Sequence, residues 1–218
     1  MGTLRLGVLA SGRGSNFQAI IDEIESKRLN AEIVVLITDN PLAFAIERAK
    51  KHGIKYLVII PKEHGSRDEY FIKVAEELKK RDVGLVVLAG FMRVVKKPLI
   101  DAFPNRIMNI HPALLPSFPG LHGQRQALQY GVKISGCTVH FVDEGMDTGP
   151  VIIQAAVPVF YDDTEEVLSG RILRLEHRIY PEAIQLFSEG RIEVKGRMVR
   201  IKGYKPFDSH IVNPPLRE

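Results

Sequence analysis

LRLGVLASGRGSNFQAIIDEI, residues 4–24, runs from an apolar stretch through a glycine-rich turn into an amphipathic one. Leu4–Ala10 reads as a short strand. Phe17, Ile20, Ile21 and Ile24 then recur at the spacing that stacks side chains on one helical face. A strand that passes at once into a helix is the front half of a βαβ unit, and the chain goes on to repeat the alternation.

Ile33–Ile37 is an apolar strand-like run closed by the turn signal Asp39-Asn40-Pro41. A helix is expected from there to about His52. Tyr56–Ile60 reads as a third strand, stopped by Pro61. Ser66 with Glu69 three residues later is a capping box, and Phe71, Val74, Ala75 and Leu78 mark the helical face behind it. Leu85–Leu88 and Arg106–Asn109 read as the fourth and fifth strands. These runs are nearly continuous in apolar residues, as in strands covered on both faces of a parallel sheet. The expected fold is α/β, a mostly parallel sheet with right-handed crossovers and helices on both faces.

The second half changes character. Ser135–Val142 and Val151–Val159 read as two strands joined by the loop Asp143–Pro150. A long helix is expected from about Asp163, which with Glu166 gives an acidic cap signal, to Ser188. Arg191–Val194 and Arg197–Ile201 flank Lys195-Gly196, a hairpin signal, so the C-terminal extension is expected to be antiparallel. Residues 1–203 are expected to form a single domain, and Tyr204–Glu218, with three prolines, a loosely ordered tail.

A chain of 218 residues suffices for one sizeable core, and 45% hydrophobic with 26% charged residues is the balance of a globular protein. A net charge of +4 from scattered Lys and Arg does not imply nucleic acid and suits a small anionic ligand. The one cysteine, Cys137, leaves no internal disulfide and suits a reducing compartment. The N-terminus shows no basic lead or cleavage site, and no apolar run approaches the ~20 residues that span a bilayer. A cytoplasmic protein is expected, a monomer or homodimer, with neither membrane nor nucleic acid as partner.

Gly12-Arg13-Gly14-Ser15-Asn16 joins the first strand to the first helix. Glycines let backbone N–H groups approach an anion, and a helix N-terminus adds unpaired donors. Two named phosphate motifs fail here. A P-loop needs Gly-Lys-Ser/Thr, and a dinucleotide fingerprint needs a third glycine where Phe17 stands. Asp39 would suit a ribose-binding acid, which keeps a nicotinamide oxidoreductase open; the other reading of the loop is a plain βα turn without ligand.

The fifth strand ends in Asn109-Ile110-His111-Pro112. Alternation points Asn109 and His111 the same way at the sheet edge where ligands of open parallel sheets sit. His111 can exchange a proton near neutral pH, and Asn109 can donate to a developing oxyanion. A carboxylate such as Asp147 would orient an imidazole and favour its protonated form. A histidine before proline also serves simply to cap a turn. Asp147-Thr148-Gly149 has no second copy, so an aspartic protease is rejected. Histidines 111, 122 and 140 show no metal-ligand spacing, so no metal is expected, and a serine nucleophile lacks its GxSxG elbow.

Leu88-Ala89-Gly90-Phe91-Met92-Arg93, Asn109-Ile110-His111-Pro112-Ala113-Leu114-Leu115-Pro116, and Gly136–Val142 followed by Asp143–Pro150 resemble the phosphoribosylglycinamide formyltransferase family. Ser11–Asn16 matches that family's phosphate loop, and the resemblance spans roughly residues 4–201. It implies the formyltransferase variant of a Rossmann-like sheet. It also implies an activity: transfer of a formyl group from 10-formyltetrahydrofolate, as co-substrate, to the amine of phosphoribosylglycinamide. Asn109, His111 and Asp147 would be catalytic. Gly14, Ser15 and Asn16 would hold the substrate phosphate and Glu176 its ribose. Met92, Arg93, Val94, Val95 and Asn109, with Asp143, Glu144, Gly145, Met146 and Asp147, would line the folate pocket, and Arg67 would meet the folate's outer part. Two relatives share the Asn-x-His…Asp pattern. Methionyl-tRNA formyltransferase normally adds a tRNA-binding domain, and formyltetrahydrofolate deformylase an N-terminal regulatory one; neither domain is expected here, but the deformylase or another folate-dependent formyltransferase is the alternative reading, with a non-catalytic nucleotide-binding module as one from a different class.

Overall fold

The computed structural model describes residues 2–204 and Asn213. Among these, seven strands build the main sheet: β1 (Leu4–Leu9), β2 (Ala31–Thr38), β3 (Tyr56–Val58), β4 (Leu85–Leu88), β5 (Ile107–His111), β6 (Ile134–Phe141) and β7 (Val151–Pro158). They lie in the order β3-β2-β1-β4-β5-β6-β7. Neighbours from β3 to β5 pair in parallel, whereas β6 pairs antiparallel with both β5 and β7. The helices are α1 (Ser15–Glu25), α2 (Ala45–Lys51), α3 (Arg67–Lys79), α4 (Lys97–Ala102), α5 (Gly123–Tyr130) and α6 (Glu165–Ser188). Strand order reverses between β1 and β4, and the carboxyl edge beside that reversal is where open α/β sheets bind ligands.

Both faces of the sheet are buried, which explains the continuous apolar strands. Leu85 and Val87 join Leu6, Val8 and Met108 in a core closed by Phe17 and Ile20 of α1 and Ile172, Tyr180 and Ile184 of α6. Val86 and Leu88, offset by one residue, join Leu9, Val35 and Ile37 under Tyr70, Phe71, Val74 and Leu78 of α3 and Leu99 of α4. Each face removes its apolar side chains from water, the dominant favourable term in folding.

Several boundaries differ from the sequence reading. β3 stops at Val58 because a 3₁₀ turn, Pro61–Glu63, follows closely. β5 runs on to His111, its polar last residues being held by pairing with β6, Asn109 opposite His140 and His111 opposite Thr138. α6 is capped by Thr164, whose side chain accepts from Val167 N. Asp163 instead forks with Arg171, at 2.7 and 2.8 Å, and accepts from Phe160 N. In the small second sheet, β8 (Ile192–Lys195) and β9 (Met198–Ile201) pair Lys195 with Met198, so the tight turn is Gly196-Arg197, one residue later than expected. α4 and α5 have no counterpart in the sequence reading. α4 is six residues with a proline in its first turn, and α5 buries only Gly123 and Ala127, too little periodicity to register. The Tyr204–Glu218 expectation lies outside the described residues, apart from Tyr204 and Asn213; the Asn213 side chain donates to Lys133 O at 2.6 Å.

Candidate active site

Asn109 and His111 stand at the carboxyl end of β5, and the Asp143–Pro150 loop folds back over them. That loop shapes itself locally. Asp143 Oδ1 accepts from Gly145 N (3.1 Å) and Thr148 Oγ1 (2.6 Å), and a Cβ on Gly145 would lie 2.0 Å from Thr148 Oγ1, so no side chain fits there. Asp147 adopts φ 55, a conformation few residues other than glycine and Asp or Asn take. Its Oδ2 accepts from Gly120 N at 2.7 Å and lies 3.4 Å from His111 Nδ1.

Hydrogen-bond partners fix the protonation pattern. His111 Nε2 lies 2.8 Å from Phe118 O, and a carbonyl only accepts, so Nε2 carries a proton. Nδ1 then faces the Asp147 carboxylate, and a doubly protonated His111 has an acceptor for each N–H. His140, in the sequence considered only as a metal candidate, sits beside this pair. Its Nδ1 donates to Phe141 O (2.8 Å), which leaves Nε2 as an acceptor for Asn109 Nδ2 (3.2 Å). Burial holds the His140 pKa below its ordinary value, so the ring stays neutral and keeps that lone pair. The Asn109 amide is thereby oriented, with one N–H spent on His140 and the second free. Only the register of the antiparallel β5–β6 pair brings His140 to this place, which sequence spacing does not show.

These residues floor a cleft of ≈ 460 Å³, a volume typical of small-molecule sites. Its walls are apolar, from Phe91, Met92, Val94, Val142 and Met146, and Arg93, Val95, Asp143 and Gly145 also line it. Glu144 turns away, its carboxylate 3.3 Å from Lys97 Nζ. Arg67 is the exposed first residue of α3 and does not line the cleft. Asp39 is not available to a ribose: its buried carboxylate pairs with Arg93 Nε at 2.5 Å. A larger hollow of ≈ 630 Å³ lies elsewhere, lined by Arg5, Glu32, Glu77 and Arg81, whose charges pair with one another. It contains none of these groups.

The glycine loop adjoins the cleft. Ser11 N donates to Gly90 O (3.0 Å) and Ser11 Oγ accepts from Met92 N (2.9 Å), tying the two loops together. The backbone N–H groups from Gly12 to Phe17 find no acceptor among the described residues. Gly14 caps α1 at φ 67, the left-handed region where glycine is unstrained. Asn16 Nδ2 donates to Glu176 Oε2 at 2.7 Å, so the loop and α6 meet through a buried pair. Burial raises the Glu176 pKa, the Asn16 bond opposing it, and Asn16 Oδ1 is buried without a partner. Among the described residues no group of three or more His, Cys, Asp or Glu could hold a metal ion, and no helix is long and apolar enough to cross a membrane.

Residues 4–184 match the family described as formyl transferase. A glycinamide ribonucleotide transformylase 1 from Symbiobacterium toebii has a similar solved structure, with TM-score 0.90 and 54% identity over 91% of this chain and 94% of that one. The phosphoribosylglycinamide formyltransferase of Bacillus subtilis is 42% identical over 83% of this chain and 93% of its own length. The trifunctional purine biosynthetic protein adenosine-3 of Drosophila melanogaster is 47% identical over 85% of this chain, which spans 14% of that longer protein.

Proposed function

The chain belongs to the formyl transferase family, and from that premise we propose that it is a phosphoribosylglycinamide formyltransferase of purine biosynthesis. It moves the formyl group of 10-formyltetrahydrofolate to the glycinamide amine. The observation that carries this reading is one sheet edge holding both the Asn109–His111–Asp147 cluster and a loop whose six amides find no acceptor among the described residues. The first suits a carbonyl passing through a tetrahedral oxyanion; the second suits a phosphate.

The pterin lies in the apolar cleft between Met92–Val95 and the Asp143–Asp147 loop, and its outer part reaches Arg67, which opens α3 at the same sheet edge. The loop amides and the side chains of Ser15 and Asn16 take the acceptor's phosphate, and Glu176 takes its ribose. The amine then attacks the formyl carbon, and no covalent enzyme intermediate is required. As the carbonyl oxygen gains charge, the free N–H of Asn109 and the Nδ1–H of His111 donate to it. Nδ1 is the nitrogen with room to do so: its 3.4 Å contact with Asp147 is looser than the 2.8 Å bond of Nε2. Asp147 keeps His111 oriented and relays the amine's proton toward the departing folate nitrogen. Binding sets position, and the pre-aimed donors set electrostatics. We place this chemistry in the cytoplasm, in a monomer or homodimer working on small molecules alone.

The test is acceptor dependence. Tetrahydrofolate should form from 10-formyltetrahydrofolate only when phosphoribosylglycinamide is present. Release at the same rate without acceptor would identify a deformylase, and binding of NAD in place of folate an oxidoreductase; either sinks the reading.

A further inference from the structure

Behind the glycine loop stands α2, and we propose that its Arg48 is a positioning residue for the acceptor: it pins the loop's backbone so that the loop's amides, not its carbonyls, face the phosphate. The inference rests on the reading above that this loop takes the phosphate.

Arg48 Nε donates to Arg13 O at 2.9 Å, and one turn earlier Ala45 N donates to Gly12 O at 3.1 Å. Across a planar trans peptide the C=O and the N–H point opposite ways. Holding the oxygens of Gly12 and Arg13 against α2 therefore turns the N–H groups of Arg13 and Gly14 away from it. Those two amides belong to the run without protein acceptors. Such pins matter because the loop is rich in glycine. A peptide flanked by glycines flips at little steric cost, and a flipped one would offer its oxygen to an anion.

The buttress is tight. A Cβ on Gly14 would sit 2.9 Å from Ala45 Cβ, so loop and helix are in direct contact. Arg48 is itself held in place: its Nη1 donates to Gln18 Oε1 at 2.9 Å, and its guanidinium lies over the Phe44 ring, 5.1 Å from the centroid. Gln18 is fixed in turn by its Nε2 bond to Asp22 Oδ1 at 2.8 Å. Among the described residues the Arg48 side chain makes hydrogen bonds to Arg13 O and Gln18 and none to a carboxylate. Lysine could match the charge but not this two-armed geometry.

The test compares wild type, Arg48→Met and Arg48→Lys on phosphoribosylglycinamide and on its dephosphorylated form, with Tm measured for each protein. Arg48→Met should raise KM for the phosphorylated acceptor by at least ~10-fold, the lower end of what one charge-assisted hydrogen bond contributes. Its kcat, and its efficiency on the dephosphorylated acceptor, should stay near wild type. Arg48→Lys should lie nearer to Arg48→Met than to wild type. Equal losses on both acceptors would mean a general structural role, and full recovery in Arg48→Lys would mean that charge alone acts; either overturns the proposal. If Arg48→Met does not fold, Arg48→Lys decides on the same two acceptors. A wild type indifferent to the phosphate would instead show that the loop reading itself is wrong, and the clamp would fall with it.

Discussion

Replacing Asn109 with alanine separates two roles that the structure gives one side chain. The Nδ2 amide donates one proton to His140 Nε2 at 3.2 Å and keeps a second for the oxyanion. Losing an oxyanion donor costs ~10²–10³ in turnover. Because that bond strengthens only as charge develops, kcat should carry the loss and KM for either substrate should change little. The same substitution strips buried His140 of its donor, and an unsatisfied buried acceptor costs about 1–3 kcal/mol of stability. Assays therefore belong well below the variant's melting temperature, with circular dichroism to confirm the fold. Tetrahydrofolate production at saturating substrates reads the first effect and urea denaturation the second. Turnover within about threefold of wild type, an effect far below the donor's expected scale, would show that Asn109 does not stabilise the oxyanion.

Other perturbations follow from neighbouring contacts. Asp147→Asn keeps an acceptor for Gly120 N but removes the charge facing His111, so kcat should fall while circular dichroism stays unchanged; undiminished turnover would mean that Asp147 takes no part in the transfer. His140 carries a pKa depressed by burial from 6.5, so the unfolded chain binds its proton first and stability must fall as pH drops below that value. His140→Gln should flatten the loss of stability between about pH 7.5 and 5.5, read by urea melts, and an unchanged slope would contradict the assignment. Asp163→Ala leaves part-buried Arg171 without its carboxylate and should cost about 1.5 kcal/mol, whereas Asp163→Ala with Arg171→Met should cost less; an additive double variant would deny the coupling.

The parallel half of the fold was legible because burial on both faces writes itself into four consecutive apolar residues, as in Leu85–Leu88. How far β5 runs was not, since Ile110 and His111 stay in strand by pairing with β6, not by propensity. The cap of α6 went to Thr164 because Asp163 found a stronger partner eight residues along, which no local pattern shows. The glycine loop, Asn109, His111 and Asp147 could be named from the sequence. Their mutual distances, and the two residues that orient them from behind, could not. His140 reaches Asn109 only through strand register, and Arg48 reaches Arg13 only through the packing of α2 on the loop. Asp39 shows the converse: a residue placed for one ligand by spacing turned out to be committed to Arg93.

Direct transfer within the cleft is the step on which the proposed function stands. It is tested by mixing enzyme, phosphoribosylglycinamide and 10-formyltetrahydrofolate labelled in the formyl carbon, and quenching on the timescale of one turnover. All of the label should pass from the folate to the glycinamide nitrogen, with none on the protein and none released as formate. Label on the protein would contradict direct attack, and label in formate would contradict the transferase reading altogether.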